Sequence, residues 1–392
     1  MPASTSHGPV FLGFPRSTGR AGVRNYLLAL SINGLTSPAA RRIAAGLPGC
    51  RLVATPYGRG QYGADKASHQ QQMIGLARNP NVGAVLIIGA DRESVDHIAS
   101  AIAADGKPIE SVALDDVHED SLALSDRGLR AGARLSHAIS RIRRQPIPAS
   151  DLLIGIECGH SDATSGIVTN PLAGAVANRL VDLGGTAMFG ETVEWLGAEH
   201  VLAARAANAD VAEAIRHAVL RREQEVAASG TDLLGNNPGH ENIRGGISSI
   251  EEKSLGAIAK GGTRSVQSVL ALAEAPANPG LHLMDGPSFS PESLTGFAAA
   301  GAQIMLFTTG PGNSFCNGLA PTIKISAHPD TVRRLPEQID FDASAVLMGA
   351  ARLEDEAARA FDLLLDTASG SATWGEILDE TAEVFTRLGG SH

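Results

Sequence analysis

The chain has 392 residues, 43% of them hydrophobic and 19% charged, with a formal net charge of −10. That length exceeds one ordinary domain and supplies a sizeable core, and the composition excludes an intrinsically disordered chain. The negative charge disfavours non-specific binding to nucleic acid or an anionic membrane, so any anionic substrate must be met by local cations.

Residues 1–15 read as a tail. In "RSTGRAGVRNY", Arg16, Arg20 and Arg24 recur every four residues but are interrupted by Gly19 and Gly22. Glycine weakens a helix interior, so this is a bent loop that offers guanidinium groups, with Asn25, just before the first strand. Arginine suits bidentate binding of carboxylate, phosphate or sulfonate; the plainer alternative is three solvated arginines. "YLLALSI", "RLVAT", "AVLIIG" and "SVAL" then read as buried strands, separated by the helical patterns "SPAARRIAAGL", "DKASHQQQMIGLARN" and "ESVDHIASAIAADG". Strand–helix alternation predicts a mostly parallel sheet covered on both faces, with ligands beyond the carboxyl ends of its strands. A helical pattern over 121–145 runs into "PIPASD", whose prolines set a boundary near Pro146.

The second half resumes the alternation with "LLIGIE", "GTAMFG", "LHLMDG", "IMLFTTG" and "TIKISA" as strands. "LAGAVANRLVDLGG" is a helix with Leu172, Val176, Leu180 and Leu183 on one face. The predicted fold is α/β: two Rossmann-like, mostly parallel domains over 16–146 and 147–392, the second carrying a polar Gly/Asn-rich loop and helix over 227–264.

Three widely spaced cysteines, Cys50, Cys158 and Cys316, make neither a disulfide framework nor a CxxC zinc pattern. With no signal-type N-terminus and no apolar run near about 18 residues, a cytoplasmic protein is expected. The run "CGHSDATSGIVTNP" follows "LLIGIE" and leads to a helix starting at Asn170 and Pro171, an N-cap and N1 pair. It places Cys158, His160, Ser161, Asp162 and Ser165 at a strand's carboxyl end. Cys-x-His-x-Asp is by itself a weak metal signal, because alternate residues of an extended loop splay apart. Glu191 and Glu194, three apart after "GTAMFG", suit a base or a metal carboxylate, or only the dipole of a helix start. In "NNPGHENIRGGISSIEEKS", Asn236, Asn237, His240, Asn242 and Arg244 offer polar groups, Glu251 completes an "SSIE" capping box, and Lys253 has no such structural excuse. Lys260, before Gly261 and Gly262, reads as an ordinary helix end. Finally Thr308, Thr309, Gly310, Gly312 and Asn313 form an anion-holding loop without the spacing for ATP or NAD.

Taken in order, "GRAGVRNY", "CGHSDATSGIVTNP", "FGETVEWLGAEH", "GGISSIEEKSLGAIAKGGT", "MDGPSFSPESLTGFAAAGAQIMLFTTGPG" and "APTIKIS" resemble the altronate and galactarate dehydratase family. The resemblance implies a hydro-lyase that removes the proton next to the carboxylate of a small sugar acid and expels water, giving a 2-keto product. Matching positions are Cys158, His160, Ser161, Asp162, Ser165, Glu191, Glu194, Asn237, Glu251, Lys253 and Thr309. It also implies a divalent metal, Fe2+ or Mn2+. Against this, cysteine positions of the family read "SINGLT", "YGRGQYG" and "GADRE" here, with Arg59 and Arg92 where soft ligands are expected. His160 stands in a "CGHSD" where relatives have "CGGSD", and His240 is likewise new, so both join the candidates.

There is no room before Arg16 for the family's small SAF-type domain. The chain is therefore expected to be a large subunit, with a separately encoded small partner, in a homo-oligomer, acting on a carboxylate substrate. A sulfolactate sulfo-lyase large subunit, or a sugar-acid-binding protein without catalysis, are the alternatives. The expected site has Cys158, His160, Asp162, Glu191, Glu194, Lys253 and His240 for chemistry. Arg16, Arg20, Arg24, Asn25, Ser161, Ser165, Asn237, Asn242, Thr308, Thr309 and Gly310 are expected to hold substrate.

Overall fold

Apolar runs rich in β-branched residues become the strands of two parallel sheets in the computed structural model, which describes residues 8–58, 60–230 and 232–387. The strands are β1 (Val10–Gly13), β2 (Tyr26–Ser31), β3 (Cys50–Ala54), β4 (Val82–Gly89), β5 (Ile109–Ala113), β6 (Gln145–Pro148) and β7 (Leu153–Cys158). They continue with β8 (Thr186–Phe189), β9 (Val266–Leu270), β10 (Gly280–Met284), β11 (Ile304–Thr308), β12 (Thr322–Ser326) and β13 (Phe341–Asp342). One sheet has the order β3-β2-β4-β5, the other β13-β12-β11-β7-β8-β10-β9, and every pairing in both is parallel. β4 and β7 are buried at every residue, which is why their sequences are almost continuously apolar.

Two local differences from the sequence reading have simple causes. The helix expected over 121–145 ends at Ile139, well before Pro146, and Gln145–Pro148, where Pro146 and Pro148 favour extended backbone, instead becomes β6. β6 pairs antiparallel with β1, so residues 10–13, inside the segment read as a tail, form a ribbon. No helix among the described residues is long and apolar enough to cross a membrane.

The sheets share a core. Leu28, Leu30, Val85 and Ile87 of the smaller sheet share it with Met305 and Phe307 of the larger one and with Phe297 of the helix Ser290–Ala299. Buried amides lock the amino ends of β4 and β11 together: Asn79 Nδ2 donates to Ala298 O and Ala302 O, and Asn81 Nδ2 to Gln303 O and Leu319 O, each at 2.8–2.9 Å. Burial makes each such amide costly to leave unpaired, so these residues bind the two sheets to one another. The helices Gly63–Arg78 and Ser290–Ala299 cross this seam at Gly75, where a Cβ would lie 2.3 Å from Ala299 O. Gly75→Ala is therefore expected to destabilise the fold by about 1–3 kcal/mol through overpacking, seen as a lower urea midpoint at unchanged m.

Candidate active site

β7 is flanked by β8 on one side and β11 on the other. The chain builds β8, β9 and β10 on one flank before crossing to β11–β13 on the other. This reversal opens a crevice beyond the carboxyl ends of β7 and β11, where doubly wound sheets bind ligands. Cys158 and Thr308 pair in register at its edge. From there two loops run side by side, Gly159 N donating to Thr308 O and Gly310 N to His160 O. Gly310 lacks a side chain for a steric reason: a Cβ there would stand 2.2 Å from Asp162 Cγ. Pushing Asp162 aside is expected to misplace the wall of the crevice, and displacements of about 1 Å cost up to about 100-fold in turnover. Gly310→Ala is thus expected to lower kcat within that range, by steady-state assay, and through the same overpacking to cost stability as Gly75→Ala does.

The loop after β7 is held by its own polar groups. Asp162 Oδ1 accepts from Thr164 Oγ1 (2.6 Å) and Ser165 N (3.2 Å), while Ser165 Oγ accepts from Asp162 N (3.1 Å). Helical backbone consequently starts at Ala163 and passes through a π-helical turn over Ser165–Thr169, earlier than the Asn170–Pro171 start expected from sequence. Buried Asn170 instead joins elements: its Oδ1 accepts from Thr308 Oγ1 (2.6 Å) and its Nδ2 donates to Gly256 O (3.0 Å). His160 (φ 53°) and Glu191 (φ 67°) both adopt left-handed backbone, at the ends of β7 and β8. Non-glycine residues held there store local strain of the kind that gathers at functional sites.

Behind these loops six ionisable side chains converge. Glu157 and Cys158 point to opposite faces of β7, and Glu191, turning over the strand ends, touches both. Cys158 Sγ lies 3.6 Å from Glu191 Oε2 and 3.4 Å from Glu194 Oε2. Lys260 Nζ is 3.0 Å from the same sulfur and forms an ion pair with Glu191. Lys253 Nζ pairs with Glu194 Oε1 at 2.9 Å and donates to Asn237 Oδ1 (2.5 Å) and Asn242 Oδ1 (3.2 Å). Asn242 in turn donates to Ser161 O (2.8 Å), tying the Gly/Asn-rich insertion to the loop after β7.

Electrostatics divide the carboxylates. Burial and the neighbouring Glu191 push Glu157 well up, and burial with the Glu194 charge raises Glu191. Glu194 is equally buried, but Lys253 and Lys260 outweigh that and hold it below the ordinary range. Burial and Glu191 raise the Cys158 thiol well above its usual value. Both lysines are held above theirs: burial opposes the charge, yet Glu194 dominates at Lys253, and Cys158 with Glu191 at Lys260. The site therefore presents ionised Glu194, two ammonium groups and a protonated thiol. A cavity of about 220 Å³ adjoins it, lined among others by Ser161, Asp162, Ile167, Asn170 and Lys253.

A family model described as "D-galactarate/Altronate dehydratase, C-terminal" matches residues 149–390, and one described as "D-galactarate dehydratase/Altronate hydrolase, second domain" matches residues 13–139. The chain belongs to the D-galactarate/altronate dehydratase family. It is an enzyme of the lyase class to which these relatives belong. It is 38% identical to the (2R)-sulfolactate sulfo-lyase subunit beta of Chromohalobacter salexigens, over 97% of this chain and 98% of that one. Altronate dehydratases of Escherichia coli (31% identity, 96% of this chain and 77% of the relative) and Bacillus subtilis (32%, 92% and 74%) are also similar.

In this dehydratase-family chain the expected residues fall into separate groups. Cys158, Ser161, Asp162, Ser165, Glu191, Glu194, Asn237, Asn242, Lys253, Thr308, Thr309 and Gly310 gather at or behind the crevice. His160 is on its exposed rim, with Nδ1 3.0 Å from Gly312 O. His240 is exposed at the start of the short helix His240–Arg244, beside Gly235, and no described contact joins it to the lysines or acids. Glu251 is exposed, and the cap of its helix falls one residue later than expected, on Ser249 with Glu252. The arginines lie at the amino ends of the strands. Arg16 donates to Pro80 O, Asn25 Oδ1 and Arg24 O; Arg20 donates to Asp151 O and Thr186 Oγ1; Arg24 is paired with Glu376. Arg16 and Arg20 line a separate cavity of about 500 Å³, a sheet's length from Cys158. Arg92 opens the helix Arg92–Ala103 and pairs with Asp96 and Asp116; Arg59 lies outside the described residues.

Glu157 and Lys260 were missed by sequence reasoning, although each left a trace. Glu157 is a charge at the end of an otherwise apolar strand, and Lys260 is the one charge in "LGAIAKGG". The two glycines after it do more than end a helix. A Cβ on Gly261 would stand 2.2 Å from the Phe189 ring, and Gly262 (φ 66°) packs on Gly174 O, so their bareness lets this turn press against β8 and bury Lys260.

Cys158, Glu191 and Glu194 are, among the described residues, the group of acidic, histidine or cysteine side chains able to share a metal ion, their donor atoms within 4.8 Å of one another. One soft and two hard donors suit a first-row divalent ion. Lys260 Nζ, however, already contacts two of the three, so with this lysine in place the residues do not fit a metal.

Proposed function

We propose that the chain eliminates water from a small hydroxylated carboxylic acid, removing the proton next to the carboxylate and yielding a 2-keto product. The observation that carries this reading is Lys253, which both pairs with buried Glu194 and lines the cavity beside Ser161 and Asp162. Substrate enters at the carboxyl ends of the strands, the Rossmann-like manner of binding. The Lys253 ammonium faces the substrate carboxylate and stabilises the negative charge that builds up on it as the carbon-bound proton leaves. Asp162, on the same wall, is the carboxylate assigned to take that proton, since Glu252, which also lines the cavity, is engaged by Ser248 N and Oγ. Glu194 keeps Lys253 charged, and Asn237 and Asn242 aim it; these are positioning residues. The departing hydroxyl takes its proton from a group on the crevice side, where the exposed His160 ring stands.

A second reading is favoured by the end-to-end similarity to a sulfo-lyase subunit beta: the same proton removal, with sulfite leaving instead of water. Because that relative is described as a subunit, it also supports a separately encoded partner subunit, for which a small SAF-type chain is our proposal and which co-purification from native cells would reveal. The two readings are separated by incubating the protein, alone and with such a subunit, with a panel of sugar acids and sulfolactate in D2O. 2-Keto acid with solvent deuterium and no sulfite supports the first, sulfite release the second. Absence of turnover together with ligand-induced stabilisation would leave a binding protein.

A further inference from the structure

Lys260 has no part in the chemistry just described, yet its side chain is 1% exposed and surrounded by groups that ordinarily hold a cation. The separations of Cys158 Sγ from the Glu191 and Glu194 oxygens, 3.6 and 3.4 Å, match the roughly 3.5 Å expected between sulfur and oxygen donors about 2.3 and 2.0 Å from a tetrahedral ion. The site is thus shaped for a cation bound by one sulfur and two carboxylates. Lys260 Nζ stands 3.0 Å from that sulfur and against Glu191, with the Phe189 ring centroid 5.9 Å away. An ion bonded to the same sulfur and oxygen would sit within about 3 Å of the ammonium, and two cations do not share that space in a buried site.

We propose that the Lys260 ammonium is the resident cation of the Cys158–Glu191–Glu194 cluster, occupying the position of a divalent metal. The native chain therefore holds no metal there, and removing the lysine creates a metal site. The backbone supports this arrangement. Gly261 and Gly262 allow the close approach that delivers the lysine, and the tether costs less freedom than binding an ion from solution. The inference rests on the lyase reading only for the location of the site, and its test requires no substrate.

Protein purified without chelator is analysed for metal, then titrated with Co2+ while thiolate-to-cobalt absorption is followed. Wild type is expected to carry substoichiometric metal and to give no such band. Lys260→Met is expected to bind Co2+ stoichiometrically with the band, and adding Cys158→Ser to remove it. Should Lys260→Met not fold, Lys260→Met with Glu157→Gln, which takes a second buried carboxyl group away from the vacated space, is held to the same outcome. Stoichiometric metal or a cobalt–thiolate band in wild type overturns the proposal, as does a folded lysine-less variant that gives no band.

Discussion

Lys253→Gln is expected to lower kcat by about 10²- to 10⁴-fold, the usual contribution of a positioned acid–base or charge-stabilising group. Glutamine keeps a donor for the Asn237 and Asn242 oxygens that the lysine now serves, so the loss isolates the charge rather than the packing. The protein should stay folded, because Glu194 retains Lys260 as a compensating charge. A pH profile adds a check. Glu194 holds the Lys253 pKa above its ordinary 10.5, so the ammonium persists through neutral and mildly alkaline pH, and turnover that depends on it declines only above that range. Lys253→Arg keeps the charge but moves it, and should fall between wild type and glutamine. A rate for Lys253→Gln within about threefold of wild type would remove Lys253 from the mechanism.

The largest stability effect is expected at Arg24. Its side chain leaves the loop before β2 and meets Glu376 of the short C-terminal helix Trp374–Leu378, Nε to Oε1 at 2.7 Å and Nη2 to Oε2 at 2.8 Å, with Tyr26 Oη also donating to Oε1. Further donations to Val23 O, Thr367 O and Ser371 O use the rest of the guanidinium. Both side chains are about one-tenth exposed. Arg24→Ala leaves a nearly buried carboxylate unpaired, and such losses cost about 3–5 kcal/mol. Urea unfolding should show this, whereas replacing both partners with apolar residues should restore much of it. Burial works against the Glu376 charge, but its bond to Arg24 prevails and holds its pKa below the ordinary 4.5. The unfolded chain thus takes up this proton at higher pH than the folded one. The stabilisation is complete above about pH 4.5 and is lost as pH falls through the lower folded value. The wild-type advantage over Arg24→Ala should shrink in that acid window and stay constant between pH 6 and 8.

These two residues show what a linear reading can mistake. Arg24 carries the chemistry of an anion holder, and it does hold an anion, but that anion is the carboxylate of Glu376, 352 positions away. Lys260 looks like an ordinary helix end, and only the approach of its turn to β8 makes it a buried cation. Residue type and spacing reveal which groups are available; they do not reveal which partner a folded chain will bring to them.

What the sequence by itself determined is local. The apolar runs set nearly all the strands, the prolines at 146 and 148 marked the extended segment that follows the long helix, and the order of motifs named the family and placed Cys158, Asp162 and Thr308 at strand ends. Tertiary structure decided the rest: that β7 lies between β8 and β11, that Lys253 from the Gly/Asn-rich insertion reaches Glu194, and that the arginines lie at the opposite end of the strands from the thiol. The division has a physical reason. Strand and turn preferences act between neighbouring residues, whereas a buried charge can exist only where distant segments jointly supply its counter-charge.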